Sequence, residues 1–77
     1  MSIEKAMGKL MKTGLIEKYY IRRITAITCN INFYFNFNGR SFGFCVRDFP
    51  IEEVPYNILL NAITGTLHNF IDRFFKD

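Results

Sequence analysis

This sequence predicts an α+β domain of two layers, ordered αβββα, in which a three-stranded antiparallel meander carries both helices on one face. Three observations lead there. Residues 27–38 alternate strictly between apolar and polar and then run into Asn38-Gly39. Residues 2–13 place their apolar side chains on one helical arc. Tyr56, Leu60, Ile63, Leu67, Phe70 and Phe74 recur every three or four positions, the period of an α-helix with one buried face. A helix with one apolar stripe and a sheet with one apolar face must cover each other to leave water.

Taken in order, Ser2 is a good helix cap and Glu4 suits the positive end of the helix that follows. Ile3, Ala6, Met7, Leu10 and Met11 share an arc, and Lys5, Lys9 and Lys12 form a basic stripe opposite. Gly14, which adopts positive φ without penalty, should end the helix. The expected span is 2–13.

Tyr19, Tyr20, Ile21, Ile24, Thr25 and Ile27 favour a strand. A strand unbroken from 19 to 37 would far exceed the usual ~5–6 residues. A two-residue turn at Cys29-Asn30 is therefore expected. It would set Ala26 against Phe33, Ile24 against Phe35 and Arg22 against Phe37. Tyr20, Ile24 and Ala26 would join the apolar face. Ile21, Arg23, Thr25 and Ile27 would go to the polar face beside Tyr34.

The stretch 27–49 is the hairpin around which the rest is organised. Asn-Gly favours a type I′ turn, because both central residues need positive φ. That turn sets Phe37 opposite Arg40, Phe35 opposite Phe42, Phe33 opposite Phe44 and Ile31 opposite Val46. The other face pairs Asn36 with Ser41, Tyr34 with Gly43, Asn32 with Cys45 and Asn30 with Arg47. A slip of one residue would scatter the apolar set, so pattern and turn agree on one register. Pro50 and Pro55 then stop strand pairing. Pro50-Ile51-Glu52-Glu53 is compatible with one helical turn, and a long helix is expected over 55–75. The expected core is Met7, Leu10, Ile24, Ile31, Phe33, Phe35, Phe42, Phe44, Val46, Leu60, Ile63, Leu67, Phe70 and Phe74. Ile21, Ile27, Ile58 and Phe75 are left over, which points to a homodimer.

A chain of 77 residues makes a single domain, 1–77, and buries only about 60% of its unfolded surface. No apolar run reaches the ~18 residues of a membrane span, and charged residues interrupt the N-terminal stretch where a signal peptide would have its apolar core. Cys29 and Cys45 do not face one another in the expected register, so no disulfide is expected and a reducing cytoplasm is the natural setting. Net charge is +3. Residues 1–28 hold six basic side chains against Glu4 and Glu17, giving +4; residues 29–77 hold four against five acidic ones, giving −1. Phe, Tyr, Met, Ile, Asn and Lys dominate the composition. Their AT-rich codons suggest a bacterial, phage or mobile-element source.

No catalytic, metal or cofactor constellation stands out. His68 is the only histidine, with Asp72 one turn on, and reads as a solvated helix-face residue. No His, Cys, Asp and Glu spacing suits a metal. The string Arg40-Ser41-Phe42-Gly43-Phe44-Cys45-Val46-Arg47 resembles the RNA-contacting octamer of RRM domains. Those domains need a strand ahead of their first helix, and here the chain opens on the helix, so the string is assigned to core packing. The αβββα order is also that of double-stranded-RNA-binding domains. Their lysine cluster at the start of the second helix is replaced here by Pro50-Ile51-Glu52-Glu53, of opposite charge, so that binding mode is not expected. Two functional expectations remain. The first is a non-enzymatic protein that binds another protein as a stoichiometric regulator or inhibitor through Lys5, Lys9 and Lys12. The alternative is an RNA or single-strand binder that uses the basic first helix and the open sheet face, with Arg23, Tyr34 and Arg47.

Overall fold

The computed structural model describes residues 1–75. Its elements are α1 (Ile3–Met11), β1 (Lys18–Arg23), β2 (Thr28–Phe37), β3 (Arg40–Pro50) and α2 (Tyr56–Phe75). The three strands form one antiparallel sheet in the order β1-β2-β3, and both helices pack on one of its faces. This is the expected αβββα architecture.

Local chemistry explains where the elements stop. The Ser2 hydroxyl accepts the Lys5 N–H at 3.4 Å at the start of α1. At the other end the Thr13 N–H reaches the Leu10 carbonyl and the Gly14 N–H the Met11 carbonyl, both at 3.1 Å, with Gly14 at φ 78°. The β2–β3 turn has Asn38 at φ 54° and Gly39 at φ 79°, and the Asn36 side chain accepts the Gly39 N–H at 3.2 Å. The hairpin register is the expected one from Phe37 opposite Arg40 down to Ile31 opposite Val46. Below Ile31 a bulge intervenes. Cys29 pairs with Phe49 and Thr28 with Pro50, so Arg47 and Asp48 together stand across from Asn30. Asp48 takes φ 55° and its N–H donates to the Asn30 side chain at 3.2 Å.

The β1–β2 connection departs from expectation. Cys29-Asn30 lies inside β2, and residues 24–27 make the turn. The Thr25 hydroxyl accepts the N–H groups of Ile27 and Thr28 at 3.2 and 3.0 Å and lies 2.7 Å from the Thr28 hydroxyl. This small network gives the turn its own hydrogen bonds without Gly or Asn. The strand parity then reverses. Tyr19 stands opposite Phe33, Ile21 opposite Ile31 and Arg23 opposite Cys29, all on the helix side. Tyr20 moves to the open face, opposite Asn32. Ile24 and Ile27 are in the turn, 47% and 73% exposed, so Ile24 is not a core residue.

The core is centred lower in the molecule than the sequence suggested. Ile3, Ala6, Met7, Leu10, Ile16, Cys29, Ile31, Phe33, Phe49, Ile51, Val54, Leu59, Ile63 and Leu67 are buried. Of the expected core, Phe35, Phe42, Phe44, Val46, Leu60 and Phe70 are half-buried and Phe74 is exposed. Residues 51–54 form no helical turn. They pass beneath the core through a series of bends, with Glu53 at φ 54°, and stitch it. The Ile3 N–H donates to the Ile51 carbonyl at 2.9 Å, the Ile51 N–H to the Ile27 carbonyl at 3.1 Å and the Val54 N–H to the Met1 carbonyl at 2.8 Å.

Candidate functional site

Two surfaces stand out against this frame. The first follows from helix length. The molecule is 41 Å along its longest axis. At 1.5 Å per residue, α1 spans about 14 Å and α2 about 30 Å. β1 begins opposite Tyr34, so the tip of the β2–β3 ribbon extends past it. Only the C-terminal half of α2 lies over that tip.

Seven of the nine phenylalanines gather there. Phe70 sits at the centre, with ring centroids 4.7 Å from Phe42, 5.3 Å from Phe44, 6.1 Å from Phe35 and 6.0 Å from Phe37. Phe37 also meets Phe74 at 5.0 Å and Phe75 at 5.9 Å. Edge-to-face geometry prevails, as the ring quadrupole favours. Unlike Phe33 and Phe49, none of these seven is buried, and Phe74 and Phe75 are 50% and 70% exposed. Arg73 lines a shallow cleft beside them with Phe44, Thr66, Asn69 and Phe70.

The second surface is the open face of the sheet. It presents Lys18, Tyr20 and Arg22 from β1, Asn30, Asn32, Tyr34 and Asn36 from β2, and Ser41, Gly43 and Cys45 from β3. Arg47, next to the inward Val46, is exposed at its lower end. Of the residues expected here, Tyr34 and Arg47 are in place and Arg23 is not. Arg23 lies on the helix side, where its guanidinium is 3.8 Å from the Glu4 carboxylate of α1. Both groups are 60% exposed, so the pair adds little to stability. Lys18, Tyr20 and Arg22 are the residues that sequence reasoning missed. The hydroxyl pair Thr25 and Thr28 was the available signal for the turn that brings them here.

The basic stripe of α1 exists, and Lys5, Lys9 and Lys12 are all exposed. Lys9 is not free, however. Its Nζ lies 4.4 Å from the centroid of the Tyr56 ring, tying α1 to the start of α2. His68 is exposed on α2 and makes no hydrogen bond or ion pair with Asp72 among the described residues. Among those residues no cluster of three His, Cys, Asp or Glu side chains could hold a metal, and no helix is long and apolar enough to cross a membrane. Cys29 is buried and Cys45 exposed, and both are free thiols. Burial pushes the Cys29 thiol above its ordinary pKa, with the Arg23 charge opposing and Glu4 adding to the rise.

No family model matches the chain, and no curated protein or solved structure matches it, so residue geometry alone carries the functional reading.

Proposed function

We propose that this is a small non-enzymatic binding protein, a stoichiometric regulator or inhibitor of another protein, which docks through its phenylalanine end. One observation carries the reading: the seven-ring cluster over the ribbon tip has two rings at least half exposed in a chain whose other two phenylalanines are buried. Aromatic side chains and arginine are the types most enriched where binding energy concentrates. Contiguous exposed apolar surface of this kind marks a contact site more often than a solvated one. Arg40 at the ribbon tip and Arg73 on α2 supply a basic rim, which suits an apolar target edged with carboxylates.

A photo-crosslinking phenylalanine analogue at position 75 tests the proposal. It should trap a discrete partner in the source cell, and the same analogue at the exposed Asn61 should not. The double variant Phe74→Asp/Phe75→Asp should keep its far-UV spectrum and lose at least tenfold in affinity for that partner. Unchanged capture by the variant would remove this surface from the function. The homodimer suggested by the leftover apolar groups belongs to the same test. Sedimentation should show a monomer in both wild type and variant if the rings serve a foreign protein. A wild-type dimer that the double variant dissolves would assign them to self-assembly.

A further inference from the structure

The open face carries a constellation of its own, on the opposite side of the sheet from the phenylalanine rings. The Tyr20 and Tyr34 rings meet edge to face with centroids 6.2 Å apart. Lys18 Nζ stands 5.0 Å from the Tyr34 centroid and 5.7 Å from that of Tyr20. Tyr34 rests on Gly43 so closely that a Cβ there would come within 3.0 Å of its Cε1. The glycine thus seats Tyr34, and Tyr34 in turn abuts Tyr20, which is left 57% exposed. Arg22 and Arg47 are exposed on the same face; Asn32 offers an amide that both donates and accepts, and Asn30 and Asn36, whose Oδ1 atoms accept from the Asp48 and Gly39 N–H groups, offer their NH2 donors. Among the described residues, Lys18, Arg22 and Arg47 form no salt bridge. The nearby carboxylate of Glu17, at the sheet edge, is engaged by the Ser41 hydroxyl at 3.0 Å.

We infer that this face binds single-stranded nucleic acid. Tyr20 is the stacking platform for an unpaired base, Lys18, Arg22 and Arg47 meet the phosphates, and the asparagines face the base edges. An acidic peptide would satisfy the three cations but would leave the tyrosine pair unused. A polyanion with one flat ring per repeat satisfies both. In a duplex the bases are already stacked on each other and cannot reach Tyr20, which selects the single strand. Three strands about 4.8 Å apart give a platform roughly 10 Å wide, room for about two nucleotides.

Fluorescence anisotropy with a short labelled oligouridylate, titrated across salt concentration, tests the inference. Three phosphate contacts should make log affinity fall with log salt at a slope of about −2. Tyr20→Ala should weaken binding about 5- to 150-fold, the range for one stacked base, while Tyr20→Phe retains it. Arg22→Gln should flatten the slope by about 0.7. The same sequence annealed into a duplex should bind more weakly than the single strand. The Phe74→Asp/Phe75→Asp variant should bind the oligonucleotide as wild type does, which separates this site from the docking end. No binding at low salt, equal affinity for the duplex, or Tyr20→Ala or Arg22→Gln behaving as wild type while folded would each overturn the assignment.

Discussion

Arg22 and Arg23 are neighbours in sequence and lie on opposite sides of the sheet. In a strand the side-chain period is two, so the position of one turn decides which of them meets solvent beside the tyrosines and which meets Glu4 of α1. The two cysteines make a similar contrast. Cys45 is exposed on the open face, while Cys29 is buried with its thiol pKa raised, chiefly by desolvation. A thiol reagent at neutral pH should therefore label one cysteine per folded chain quickly, and the second only on denaturation. Mass spectrometry should locate the fast label at Cys45. The raised pKa also has a sign in stability. Below its ordinary value near 9.0 the Cys29 thiol is neutral in both folded and unfolded chains. As pH rises past that value the unfolded chain ionises first, so stability falls. Denaturant titrations should show wild type losing stability relative to Cys29→Ala above about pH 9, with a constant difference below it.

At the scale of the element, the two hairpins teach different lessons. The β2–β3 turn was legible because Asn38-Gly39 tolerates positive φ at both positions, and the register followed from it. The β1–β2 turn was not, because it rests on hydroxyls of Thr25 and Thr28 that also suit a strand. The bulge at Arg47 and Asp48 was invisible for a related reason: it needs an aspartate at φ 55°, which sequence alone does not announce. Both helices were legible from period, α1 also from its Ser2 cap and α2 from Pro55 at its start. α2 contains Gly65, whose Cβ position meets nothing within 4 Å. Gly65→Ala should therefore stabilise the domain by about 1 kcal/mol, the propensity difference in a helix interior. For a domain of this size that corresponds to a rise of about 4–8 °C in Tm, measurable by circular dichroism.

For the whole molecule, the segment after β3 matters more than its irregular backbone suggests. Ile51 is 1% exposed, and its backbone joins the start of α1 to the β1–β2 turn. Ile51→Ala should cost about 2–5 kcal/mol through lost burial and the cavity left behind. Small domains have only about 5–15 kcal/mol in all, so chemical denaturation should show a much lower midpoint with a similar slope. Arrangement at this scale also explains the phenylalanine end. Phe70 and Phe74 lie on the apolar stripe of α2 and read as core, yet they face a ribbon tip that neither α1 nor β1 reaches.

Local rules, acting over a few residues, were enough for the element order, the β2–β3 register, the helix caps and the inward face of each helix. Periodicity and turn stereochemistry act at that range, and they are written directly in neighbouring residues. The parity of β1, the low placement of the core and the incomplete burial of the seven rings depend on how far one element extends past another. Those lengths meet only in three dimensions. The same distinction governs the candidate sites. Tyr34 and Arg47 could be assigned from the hairpin alone, whereas Lys18, Tyr20 and Arg22 join them because a threonine-bonded turn shifts β1 into place beside β2.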